Sequence, residues 1–151
     1  FSLYKGCLRI MQELGFERIQ LHNLGYYVVL LKKPYALSAR QVRDACLYAS
    51  AVNAAKAKFG GTVTLEQLAG SSEIELSEIG FNQSRGFAAE MRDMGVDVPA
   101  DFLQEGILER DDHYVLIVPA HVVPNPVSTV GMGDTISSSS FAYQWSPGIS
   151  R

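Results

Sequence analysis

Apolar residues recur at helical spacing from the start of the chain. Leu3, Cys7, Ile10, Met11 and Leu14 share one face, and Gly15 follows where a helix end favours a left-handed residue. The spacing predicts a helix over Ser2–Leu14. From residue 18 to 31 the pattern changes to strand chemistry, with Ile19, Leu21, Tyr26, Tyr27, Val28, Val29, Leu30 and Leu31 in a mostly apolar run broken at 22–25. A run of that kind suits a strand covered on both faces, and it predicts a buried strand of a parallel sheet.

Ser38 stands three residues before Gln41, a capping box that opens an alanine-rich stretch running to Phe59, where Gly60 and Gly61 stop it. Ala45, Ala49, Ala51, Ala54 and Ala55 would let this second helix pack closely on a sheet. Thr64 and Gln67 repeat the spacing for a short helix ending at Gly70, and the polar residues 71–84 read as surface loop. Phe87, Met91 and Met94 predict a third major helix over 84–94, closed by Gly95. Two apolar runs, 106–110 and 114–118, flank Asp111, Asp112 and His113, the pattern of a β-hairpin. No internal repeat or linker divides the chain. Together these elements predict a three-layer α/β arrangement with largely parallel strands near 17–22, 26–31 and 113–118.

Composition narrows the class. The chain has 151 residues with 47% hydrophobic content, and no apolar run approaches the roughly 18 residues of a membrane helix. It reads as one soluble globular domain or a large piece of one. Phe1 in place of Met reads as an upstream junction. A pI of about 5.6 and the lack of a basic run interleaved with aromatics exclude a nucleic-acid binder. Residues 1–60 carry nine Lys/Arg against three Asp/Glu, and residues 61–151 carry four against thirteen. A basic half can serve a phosphate-bearing ligand, although scattered surface lysines give the same count. Cys7 and Cys46 sit among apolar residues without disulfide or metal spacing, as buried thiols of a reducing, cytoplasmic protein do. His22, His113 and His121 show no zinc spacing.

The chemistry-bearing stretch is Pro126-Val127-Ser128-Thr129-Val130-Gly131-Met132-Gly133-Asp134-Thr135-Ile136-Ser137-Ser138. It follows the strand-like run 115–123 and precedes residues that can continue as a helix to about Tyr143. Glycines at 131 and 133 free space for backbone N–H groups to converge at a helix N-terminus, whose dipole favours an anion. An aspartate at the end of that turn is placed to take a proton from a hydroxyl attacking the bound phosphate.

The string from Asn125 to Ser138 resembles the C-terminal signature of ADP-dependent glucokinases and phosphofructokinases, a branch of the ribokinase-like kinases. Arg18-Ile19-Gln20-Leu21-His22-Asn23-Leu24-Gly25-Tyr26-Tyr27 is similar to a strand-and-loop motif that these kinases place beside the adenine. The resemblance implies an incomplete ribokinase-like (Rossmann-like) fold, with residues 1–151 as the C-terminal portion of the large nucleotide-binding domain. It implies Asp134 as catalytic base and the amides of Gly131, Met132 and Gly133 as the anion hole. Tyr27 matches the ring that packs on adenine, with a core tyrosine as the alternative, and Val123 matches an apolar wall of that pocket. Val115 matches a second wall position that an ordinary strand valine would also fill. His22 reads as a structural histidine or a ligand contact, and Thr129 and Thr135 as turn and cap hydroxyls.

The implied ligands are ADP as donor, AMP as product, a sugar or sugar phosphate as acceptor, and magnesium. The implied lid, sugar-binding residues and acidic metal motif lie outside this chain. Asn82-Gln83-Ser84-Arg85 lacks the acidic residue such a motif needs, so no metal ligand is assigned. Glucose and fructose 6-phosphate stay open as acceptors. An ATP-using ribokinase-like kinase and a non-catalytic nucleotide-binding module are the alternatives. A partial sheet would also expose an edge and an apolar face, which predicts self-association and little activity of the isolated chain.

Overall fold

The computed structural model describes residues 2–146; Phe1, where the junction was expected, and 147–151 lie outside the described residues. Helix α1 spans Ser2–Leu14, followed by strands β1 (Arg18–Asn23) and β2 (Tyr26–Lys32). Helix α2 covers Ala39–Phe59, and α3 (Leu65–Ala69) runs into a 3₁₀ turn at Gly70–Glu73. Helices α4 (Glu78–Asp93) and α5 (Phe102–Glu105) precede strands β3 (Ile107–Glu109) and β4 (His113–Pro119), and α6 (Met132–Gln144) closes the order.

The four strands form one sheet in the order β1-β2-β4-β3, and every neighbouring pair is antiparallel. The expected parallel direction is therefore wrong for this part of the fold. Residues 18–31 are two strands joined at Leu24 and Gly25, where Gly25 takes a φ of +86°. A side chain at Gly25 would meet the Ser77 hydroxyl oxygen at 2.4 Å, so the tip of this hairpin needs glycine twice over. The unbroken apolar run of β2 reports cover on both faces, and an antiparallel strand under two helical layers shows it equally well.

The three-layer arrangement itself holds. Tyr26, Val28 and Leu30 face one cluster with Tyr4, Met11, Phe87, Met91 and Phe102, so α1, α4 and α5 cover that side. Tyr27, Val29 and Leu31 face the other, with Val42, Cys46, Ala49 and Ile136 from α2 and α6. The capping box of Ser38 and Gln41 starts α2 as its spacing predicts. Ala45, Ala49, Ala54 and Ala55 are buried, which lets α2 lie close against both the sheet and α6. Cys7 and Cys46 are free and buried.

Helix α4 begins earlier than its apolar spacing suggests. Ser77 caps it by accepting from the Ile79 N–H, and residues 78–83 form its first turns in place of the expected loop. Arg85 donates to Glu78 and Asn82 along this helix. The β3–β4 hairpin forms where 106–110 and 114–118 predict it, with Glu109 opposite Tyr114.

Candidate functional site

Four pieces of chain meet beside the far end of the hairpin: its tip, one face of α2, the segment after β4, and the start of α6. Between them lies a cavity of about 340 Å³, within the range that small-molecule sites occupy. Its walls include Tyr27, Asn53, His121, Val123, Met132 and Gly133.

Local interactions set each wall. The loop before α6 is tied to α2 through the Val127 N–H, which donates to the Ala57 carbonyl at 2.7 Å. Gly131 is the N-cap residue of α6, with a φ of +68° that favours glycine. The first intrahelical bond runs from the Thr135 N–H to the Gly131 carbonyl at 3.0 Å. Helix geometry therefore leaves the N–H groups of Met132, Gly133 and Asp134 without a carbonyl inside α6. The Thr135 hydroxyl donates to the same Gly131 carbonyl at 2.9 Å, a capping role as its sequence position suggests.

Asp134 stands in the first turn of α6 and is exposed. It does not line the cavity; its neighbours Gly133 and Ile136 do. The carboxylate is open to solvent there. Gly133 has no left-handed φ, and a Cβ at that position would meet nothing within 4 Å. Backbone conformation and packing thus account for Gly131 and leave Gly133 unexplained.

One cation also reaches this corner. Lys56, in the last turn of α2, donates from Nζ to the Thr135 hydroxyl oxygen at 3.0 Å. Its Nζ would lie 3.3 Å from a Cβ at Gly131. Among the described residues no carboxylate forms an ion pair with Lys56. A cation against the positive end of a helix is electrostatically unfavourable unless an anion joins them. Sequence reasoning missed Lys56, because nothing in the alanine-rich helix signals that it faces α6.

Tyr27 is both a cavity wall and a member of the core, at 2% exposure. Burial pushes its phenol up to about 12, against a smaller opposing effect of a hydrogen bond with Ser50. The His22 ring meets the Tyr27 ring edge-on with centroids 5.3 Å apart. Burial lowers the pKa of His22, with the Arg18 charge adding to it, and burial alone lowers that of His121. Both imidazoles are then neutral at neutral pH, which keeps this wall uncharged. The Ser50 hydroxyl oxygen accepts the His121 backbone N–H at 2.6 Å and lies 2.9 Å from its Nδ1.

Val123 is half-buried on the cavity wall, and Thr129 also lines it. Val115 is placed elsewhere. It is fully buried in the cluster beneath α1, α4 and α5, on the opposite face of the sheet from Tyr27. The register explains this, since Tyr27 pairs with Val118 and strand residues alternate between faces. His113 is a structural histidine held between the Tyr4 hydroxyl and the Asp112 carboxylate. Among the described residues no group of three or more His, Cys, Asp or Glu gathers that could hold a metal ion. Nor is any described helix long and apolar enough to cross a membrane.

Comparison with known proteins identifies the family and the fold. A family profile described as "ADP-specific Phosphofructokinase/Glucokinase conserved region" matches residues 2–143. An ADP-specific phosphofructokinase of Methanosarcina acetivorans is 33% identical over 140 residues, 93% of this chain and 28% of that protein. An ADP-dependent glucose/glucosamine kinase of Pyrococcus furiosus is 32% identical over 145 residues, 96% of this chain and 29% of that protein. The chain thus spans under a third of the length of these curated relatives. Among solved structures, the last common ancestor of ADP-dependent phosphofructokinases from Methanosarcinales superposes with a TM-score of 0.88 at 35% identity, over 95% of this chain and 29% of that one. An ADP-dependent kinase in complex with fructose-6-phosphate and ADPbetaS gives 0.87 at 35% identity, over 95% and 31%. The fold is therefore the ribokinase-like one that the motif implied. By a profile match over nearly its whole length, the chain belongs to the ADP-specific phosphofructokinase/glucokinase family.

Proposed function

We propose that this chain supplies the nucleotide site and the catalytic base of an ADP-dependent sugar kinase, which transfers a phosphoryl group to a hydroxyl of glucose or fructose 6-phosphate. The single observation that carries the reading is the junction of the Tyr27–Val123 cavity with the N-terminus of α6, next to an exposed Asp134. The base occupies the cavity, and the phosphates extend to the amides of Gly131, Met132 and Gly133, with Lys56 as a counter-charge.

Asp134 takes the proton of the acceptor hydroxyl as its oxygen attacks the terminal phosphorus of ADP. The bond from that phosphorus to the bridging oxygen breaks, and AMP leaves. Amides and lysine hold the charge that spreads over the transferred group. Magnesium would neutralise phosphate charge when bound; its ligands are proposed to lie in the part of these relatives that this chain does not span. The isolated chain, without a sugar site, is expected to bind nucleotide and transfer little. The exposed side chains of Ile10, Leu14 and Phe16 near the β1 edge favour its self-association.

An ATP-using kinase or a non-catalytic nucleotide-binding module would share the helix terminus; Asp134 separates the module from a kinase, and the preferred donor separates the two kinases. Asp134→Asn in the intact enzyme should slow single-turnover transfer from ADP by about 10²–10⁴, the usual scale of general-base assistance. Nucleotide affinity should stay equal or improve, because a negative charge beside a polyphosphate is removed. Near-normal turnover would eliminate Asp134 as the base, and transfer from ATP in preference to ADP would eliminate the donor assignment.

A further inference from the structure

Ser50, in the middle of α2, decides how one wall of the cavity is polarised. It is only 1% exposed, so its hydroxyl exchanges hydrogen bonds with protein groups. The oxygen accepts the His121 backbone N–H at 2.6 Å and lies 2.9 Å from His121 Nδ1. Tyr27 hydrogen-bonds to the same hydroxyl. A phenol is more acidic than an aliphatic alcohol, which makes it the better donor and the poorer acceptor of the two. Tyr27 therefore gives its proton to Ser50. Both lone pairs of Ser50 are then taken, by the Tyr27 O–H and the His121 N–H, and its one proton is left for Nδ1.

That direction fixes the imidazole. A neutral ring that accepts at Nδ1 carries its own proton on Nε2. Burial lowers the pKa of His121, so the ring is neutral at neutral pH. Nε2 has no hydrogen-bond partner among the described residues, yet it is not enclosed: the unpartnered atoms shut away from solvent are Asn53 Oδ1 and Gln144 Nε2. His121 itself is half-buried and lines the cavity. With Nδ1 held against α2, the ring offers an accessible N–H whose tautomer and orientation are set before any ligand arrives.

We propose that His121 is a further binding residue of this site, donating from Nε2 to an acceptor on the nucleoside half of the nucleotide, and that Ser50 is the positioning residue that holds it in the donating tautomer. The inference rests on the cavity being the nucleotide site. His121 is joined through Ser50 to Tyr27 and stands two residues before Val123, and both of these are walls of the base pocket in that reading. A neutral donor suits a ring nitrogen or a ribose oxygen, and it leaves the phosphate charge to Lys56 and the start of α6.

The test has two parts, both on the intact protein. The nitrogen resonances of the histidine rings report the tautomer directly. In the free protein at neutral pH, His121 should show a protonated Nε2 and an unprotonated Nδ1, and adenosine should shift the Nε2–H signal and slow its exchange with water. The opposite tautomer, or an Nε2 that ignores adenosine while the backbone amides of the cavity respond, would overturn the proposal and leave the nucleotide site standing. In calorimetry, His121→Leu should weaken adenosine and ADP alike by about 3–10-fold, the worth of one neutral hydrogen bond. His121→Gln, whose amide N–H reaches the place of Nε2, should bind within about a factor of two of native. Native affinity in His121→Leu, an equal loss in both variants, or a loss confined to ADP would each overturn it, as no donor, a matter of shape, or a phosphate contact. If His121→Leu does not fold, the tautomer and exchange measurements on the native protein decide. Failure of the native protein to bind either ligand would remove the site itself, and the inference with it.

Discussion

The same strands bury very different material on their two faces. Under α1, α4 and α5 the sheet meets large side chains: Tyr4 and Phe87 pack edge-on at 5.7 Å, and Phe102 lies 5.7 Å from Phe87. Its buried histidine, His113, is bonded on both ring nitrogens. Under α2 and α6 the sheet meets alanines and small residues, with Ser50, Asn53 and Gln144 buried among them. The unpartnered buried atoms found among the described side chains, Asn53 Oδ1 and Gln144 Nε2, both belong to helices on this second face. One face is filled with large side chains, whereas the other leaves a cavity and buried polar groups, where we propose the ligand binds. The contrast teaches where to look for function when a sheet is covered on both sides.

The comparison can be sharpened from its stable side first. Phe87→Ala removes a fully buried ring from the filled face and should cost about 3–5 kcal/mol of stability. At temperatures where the variant stays folded, its affinity for ADP should be close to native, as measured by chemical denaturation and titration of one preparation. A matching loss of affinity would mean that the two faces are not separate in function.

The opposite substitution is Gly133→Ala, on the ligand face. A Cβ there meets nothing within 4 Å and the residue has no left-handed φ, so the fold should be unchanged or stabilised by up to about 1 kcal/mol. The methyl group would stand where a phosphate approaches the amides, and ADP affinity should fall by about tenfold while adenosine affinity holds. Unchanged ADP affinity would show that Gly133 is not at the phosphate.

The two faces were not equally legible in the sequence. The capping box at Ser38, the alanine-rich helix behind it and the β3–β4 hairpin carry local signals, and each formed where its residues indicate. Strand direction carries no such signal: β2 is apolar because helices cover both its faces, and that cover is indifferent to whether its neighbours run parallel. The early start of α4 depends on one serine cap among polar residues that look like loop. In the candidate site, the turn from Gly131 to Asp134 could be read because glycines, a helix start and a carboxylate lie together in the chain. Val115 lies on the other face because Tyr27 pairs with Val118, a register that the sequence does not carry. Lys56 and Asn53 were invisible because their meaning comes from what α2 faces, and the sequence of an alanine-rich helix does not show which partner will lie against it.

The most direct test of the central claim is an ADP titration of the protein followed residue by residue through its backbone amide resonances, with adenosine as the control. Both ligands should perturb the cavity walls around Tyr27, Asn53 and Val123, and ADP alone should strongly shift the amides of residues 131–134. Perturbation of the cavity by both ligands with no phosphate-dependent change at 131–134, or a phosphate response centred elsewhere in the chain, would contradict the account.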